Sequence, residues 1–94
     1  MYVISYDIVQ DKTRTRIAKT LESYGKRVQY SVFECVISQK QYEQLYEKLA
    51  ELMGDDTDGS IRFYHICKNC EDRIVTMGVM DDERFLGDNN IFII

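Results

Sequence analysis

"YVISYDIVQDKTRTR", residues 2–16, decides the fold, because it opens as a strand and closes as the start of a cation-rich helix. Residues 2–8 are dominated by Tyr, Val and Ile, side chains that suit a pleated, half-buried surface. Alternation divides them into Tyr2/Ile4/Tyr6/Ile8, wholly apolar or aromatic, and Val3/Ser5/Asp7, which turns polar toward its end. Ile17, Ala18, Leu21 and Tyr24 then recur at helical spacing and predict a helix over 12–24, with Asp11 as its N-cap and Gly25 as its C-cap glycine.

Working outward, "KRVQYSVFECVI" (26–37) predicts two short strands, 27–30 and 32–37, turned at Ser31; one kinked strand is the alternative. Ser38 and Gln41 have capping-box spacing, and a helix over 39–53 follows. Tyr42, Leu45, Tyr46, Leu49 and Leu52 form its apolar stripe, and Gly54 ends it. After the loop "GDDTDG" (54–59), "SIRFYHIC" (60–67) reads as a strand. Residues 73–78 and the terminal "IFII" add short strands. The order β-α-β-β-α-β, with a C-terminal strand extension, is the ferredoxin-like α+β pattern: two helices on one face of an antiparallel sheet. Residues 1–80 form that domain and 81–94 its extension. Nearly every strand reads as apolar on both sides, so the open face calls for a cover. A second copy, packed sheet to sheet about a twofold axis, is the simplest one.

At 94 residues the chain is a single small domain whose core is marginal alone, which also favours a homodimer. No apolar run reaches the ~20 residues of a membrane span, and "MYVISYD" lacks the features of a signal peptide, so a cytoplasmic location is expected. The three cysteines, Cys35, Cys67 and Cys70, therefore read as thiols. "CKNC" (67–70) supplies one C-x-x-C pair, too few ligands for a structural zinc site when His65 is the only histidine. "DDTDGSIRFYH" fails as a calcium loop, because Gly54 and His65 fall where carboxylates are required. Asp81, Asp82 and Glu83 read as a solvated turn.

The net charge of −4 conceals an asymmetry: residues 1–40 carry seven Lys/Arg against four Asp/Glu, and the remainder five against twelve. On the first helix Lys12, Arg16 and Lys19 form a solvent-side stripe, with Arg14 toward the sheet near Asp7 and Lys26 and Arg27 just beyond. Cations in a first turn oppose the helix dipole by roughly 0.3–1 kcal/mol each. A phosphate bound there reverses that sign, which makes this end a backbone-phosphate candidate. The second helix carries Glu43, Glu47 and Glu51 on one stripe and would repel a polyanion. One Asp7 holds a divalent ion poorly. Two copies across a twofold axis would share a proton or recruit a cation, and with a divalent ion would suit phosphodiester cleavage.

"YVISYDI", "RTRIAKTLESYGKRVQYSVFEC" and "RFYHIC" together resemble the CRISPR-associated protein 2 family over residues 1 to about 80. The resemblance implies a ferredoxin-like homodimer that serves spacer acquisition, bridges the CRISPR integrase subunits and binds double-stranded DNA. It also implies an Mg2+- (or Mn2+-) dependent endonuclease site acting on DNA or single-stranded RNA, though members serve as scaffolds without that chemistry. By the motif, Asp7 stands at the catalytic and metal position, and Ser31 and Phe33 stand at positions near it. Arg14, Arg16 and Arg27 match basic positions used on DNA, joining Lys12 and Lys19. Two rivals remain at this stage: a stand-alone toxin-like ribonuclease of the same fold, and a small metal- or thiol-binding regulator using Cys67 and Cys70.

Overall fold

The structure, a computed structural model, describes residues 1–55 and 58–78. Its elements are β1 (Tyr2–Asp7), α1 (Asp11–Glu22), β2 (Lys26–Gln29), β3 (Val32–Cys35), α2 (Gln39–Met53), β4 (Ser60–His65) and the short α3 (Lys68–Glu71). The strands form one antiparallel sheet in the order β2-β3-β1-β4, the ferredoxin-like arrangement. Cross-strand partners share a face. Tyr2, Ile4 and Tyr6 therefore lie with Phe33 and Cys35 of β3, and with Ile61, Phe63 and His65 of β4, beneath the helices.

This layer is the core. Ile4, Ile17, Leu21, Phe33, Cys35, Leu45 and Leu49 are fully enclosed, each aliphatic or aromatic one contributing roughly 1.5–3 kcal/mol by leaving water. Tyr2 lies between the rings of Tyr42 (4.2 Å) and His65 (4.6 Å), both nearly parallel to it, and its hydroxyl donates to Gln39 Oε1 at 2.8 Å. That sandwich ties the start of β1 to α2 and to the edge strand β4. α2 runs over the predicted residues, and its capping box is complete: Ser38 Oγ accepts from the Gln41 N–H while Gln41 Oε1 accepts from the Ser38 N–H.

Four expectations change. The N-cap of α1 is Gln10, with Asp11 inside the first turn. Ser23 is its C-cap, and Gly25 serves another need: a Cβ there would strike the Glu34 carbonyl and the Cys35 sulfur where β2 passes against β3. The open face is not apolar on every strand. Lys26, Gln29, Glu34, Ser5, Asp7, Ser60 and Arg62 lie on it, around the half-buried Val3 and Val32. Residues 73–78 form no strand within the single chain; a short helix, α3, precedes them instead. The extension 81–94, with its acidic cluster and the strand expected at "IFII", lies outside the described residues.

Candidate functional site

β1 carries Asp7 to the end of the sheet. The strand's alternation puts Tyr6 into the core and turns Asp7 to the open face, where it is exposed and stands opposite Ser60 of β4. Three rows cross this face: Lys26, Glu34, Val3 and Tyr64; then Gln29, Val32, Ser5 and Arg62; then Asp7 and Ser60. Lys26 and Glu34 are directly opposed unlike charges, a pairing that supports the sheet. The Asp7 side chain makes no hydrogen bond or ion pair among the described residues, so both carboxylate oxygens are left to accept from something outside the fold.

Arg62 is the residue that the sequence reading passed over. It lies diagonally from Asp7 on the open face, and its Nη1 donates to the Tyr64 hydroxyl at 3.2 Å. The parity of "SIRFYH" contains the signal: Ser60, Arg62 and Tyr64 share one face, Ile61, Phe63 and His65 the other.

The structure brings Ser31 close to the end of β1. It sits in the β2–β3 turn, and its carbonyl accepts the Tyr6 N–H at 3.0 Å. Phe33, by contrast, is a correction. It is wholly buried opposite Ile4, its ring 6.4 Å from that of Tyr6, on the face turned away from Asp7. It shapes the strand that neighbours the site and does not reach a group bound at Asp7.

The cations separate into two sets. Arg14 reaches back from α1 to the carbonyls of Ile8 (2.9 Å) and Val9 (3.3 Å) and pairs with Asp11, so it fastens the β1–α1 loop and forms its ion pair with Asp11 rather than with Asp7. With Asp11 in the first turn and paired to Arg14, the dipole penalty expected of this helix end is largely offset. Arg27 stands opposite Phe33, with its guanidinium 5.2 Å from that ring and hydrogen-bonded to the Tyr6 hydroxyl. Burial pushes the Tyr6 phenol up, and the nearby charges of Arg27 and Arg14 oppose that rise. Arg27 thus packs, half-buried, on the aromatic layer under the helices. Lys12, Arg16 and Lys19 are exposed on α1 and form the stripe that its periodicity predicts.

Asp7 contributes a single carboxylate per chain, and among the described residues no three His, Cys, Asp or Glu side chains converge. A magnesium ion is commonly held by one or two carboxylates together with water and substrate phosphate. An exposed, unengaged Asp7 fits one carboxylate of such a set. Among the described residues, no helix is long and apolar enough to cross a membrane.

Comparison with known proteins shows which family the chain resembles. A family model described as CRISPR associated protein Cas2 matches residues 1–74. The "CRISPR-associated endoribonuclease Cas2 1" of Chloroflexus aurantiacus is 46% identical over 77 residues, spanning 82% of this chain and 83% of that protein. The crystal structure of Streptococcus pyogenes Cas2 superposes with a TM-score of 0.71 at 33% identity, covering 82% of this chain and 98% of that one. A chain of a partial Cas6-RT-Cas1–Cas2 complex superposes with a TM-score of 0.69 at 33% identity, covering 80% and 87%.

Proposed function

The chain belongs to the CRISPR-associated protein Cas2 family, and on that premise we propose that it serves spacer acquisition, as a cytoplasmic homodimer that holds duplex DNA and bridges CRISPR integrase subunits. The observation that carries this reading is its structural kinship to a chain in a complex named for Cas1 and Cas2. The same family match speaks against a stand-alone toxin-like ribonuclease.

A homodimer packed through the open face would cover Val3 and Val32 and bring two Asp7 carboxylates near the twofold axis. Two like charges there would share a proton or take up a cation. A divalent ion such as Mg2+, held by the paired Asp7 carboxylates, would polarise a phosphate oxygen and acidify a bound water. That is the chemistry of an endonuclease, the activity for which relatives are named. The residues of this chain have simpler tasks: Asp7 supplies oxygens, Ser31 holds the end of β1 through its carbonyl, and Arg62 adds positive charge at the rim. Lys12, Arg16 and Lys19 give a phosphate-facing stripe that positions DNA without reading bases.

The test is affinity capture of the full chain from its native cells, followed by assays of Asp7→Asn. Recovery with an integrase subunit and short duplex DNA supports the scaffold role; recovery with neither refutes it. Asp7→Asn should abolish Mg2+-dependent cleavage while DNA binding stays intact or tightens slightly, since a negative charge is lost. Undiminished cleavage would refute the Asp7 site.

A further inference from the structure

The segment leaving β4 carries chemistry that DNA scaffolding does not use. Cys67 caps α3 and Cys70 is the third residue of that helix, so one helical turn sets their sulfurs 3.3 Å apart. The turn is held by its main chain: the Cys67 carbonyl accepts the N–H groups of Cys70 (3.0 Å) and Glu71 (2.9 Å). Both side chains are exposed, whereas Cys35 is sealed in the core. Disulfide closure requires Cα atoms about 4.4–6.8 Å apart, which an i, i+3 pair in a helical turn satisfies.

A metal-binding role is less well served. Zinc needs two further ligands. The His65 ring is stacked on Tyr2, and the Glu71 carboxylate is bonded to the Met1 amino group at 3.1 Å. No third ligand stands with the two sulfurs among the described residues.

We propose that Cys67 and Cys70 form an intramolecular dithiol–disulfide couple that exchanges with small-molecule disulfides, Cys67 attacking and Cys70 resolving. The Cys67 thiolate attacks one sulfur of the disulfide, forming a mixed disulfide and releasing one thiolate. Cys70, as its thiolate, then attacks the Cys67 sulfur, closing the internal bond and releasing the second thiolate. The protein loses two hydrogens and two electrons, and the oxidant leaves as two thiols once those protons are taken up. The assignment of roles has electrostatic support. The sulfur–sulfur contact between them holds the Cys67 thiol below its ordinary range and pushes the Cys70 thiol up. Because the closed loop is very short, the bond constrains the unfolded chain little. Its effect is local, fixing the turn through which the chain leaves β4.

The full chain is reduced, equilibrated against graded mixtures of reduced and oxidised glutathione with a chelator present, alkylated, and read by intact mass and peptide mapping. A single internal bond between Cys67 and Cys70, with Cys35 left as a thiol, supports the couple. Cys70→Ser should stop at a glutathione adduct on Cys67, and Cys67→Ser should form its adduct on Cys70 at least about threefold more slowly. The proposal is overturned if both thiols survive the whole glutathione range, if the native protein accumulates the adduct, or if the two variants react equally fast. Zinc retained in stoichiometric amount by protein purified without chelator would overturn it as well.

Discussion

One strand, β1, presents two faces with opposite fates. Tyr2, Ile4 and Tyr6 are at most 6% exposed beneath the helices, while Val3, Ser5 and Asp7 between and beyond them remain half-buried or exposed. A period of two residues thus separates the side that holds the fold together from the side free for a partner, an ion or nucleic acid. The separation should be visible in mutants, because a change on one face leaves the other in place.

The largest contrast is expected between Ile4→Ala and Ser5→Ala. Ile4 is enclosed, so its truncation should cost about 2–5 kcal/mol in transfer and cavity terms. The neighbouring open-face change should stay within about 0.5 kcal/mol. Denaturant unfolding of both variants measures the gap, and equal losses would erase the distinction between the faces.

A pH titration sharpens the same contrast. Burial pushes the Cys35 thiol up from 9.0 to about 11. The folded state therefore keeps its proton where the unfolded chain releases one, so stability falls as pH rises from 9 toward 11, by up to about 2–3 kcal/mol. Tyr6, also raised by burial, acts in the same direction from its ordinary value of 10.0. Cys35→Ala should be less stable at neutral pH and lose less on going to pH 11; an unchanged slope would remove Cys35 from the explanation.

Two arginines give the next contrast. Arg27→Ala should cost roughly 0.5–2 kcal/mol of stability, since its guanidinium lies over Phe33, yet leave the salt dependence of DNA binding nearly intact. Arg16→Ala should barely alter stability. In a dimer it should flatten the slope of log affinity against log salt by up to about two units, equally for all duplex sequences. Calorimetry and salt titrations would exchange these outcomes if Arg27 were the DNA contact.

Sequence reasoning succeeded where local chemistry decides structure. The Ser38–Gln41 box and Gly54 bracket α2, and the alternation along β1 separates Asp7 from the core. It failed where register decides. Arg27 meets Phe33 only because β2 pairs with β3 across an irregularity between Arg27 and Gln29, which no propensity reveals. Phe33 and Ser31 are two residues apart, yet one is core and the other lies in the turn beside Asp7. Gly25 stands where a C-cap glycine belongs, and close approach to β3 rather than capping requires it. Composition makes nearly every strand look apolar on both sides, whereas register gathers Lys26, Glu34 and Arg62 on the open face and makes it mixed.

A sheet-to-sheet homodimer, on which the paired Asp7 site depends, would bury this mixed face. Sedimentation equilibrium of the full chain beside Val3→Lys tests it most directly. Val3 lies between Glu34 and Tyr64 on the open face, so a lysine there has an opposite charge beside it and should leave the single chain folded. Buried in a sheet-to-sheet interface, the same lysine would be strongly unfavourable. The native chain should sediment as a dimer at micromolar concentration and Val3→Lys as a folded monomer. A monomeric native chain, or a Val3→Lys dimer as tight as the native one, would contradict the open face as the pairing surface.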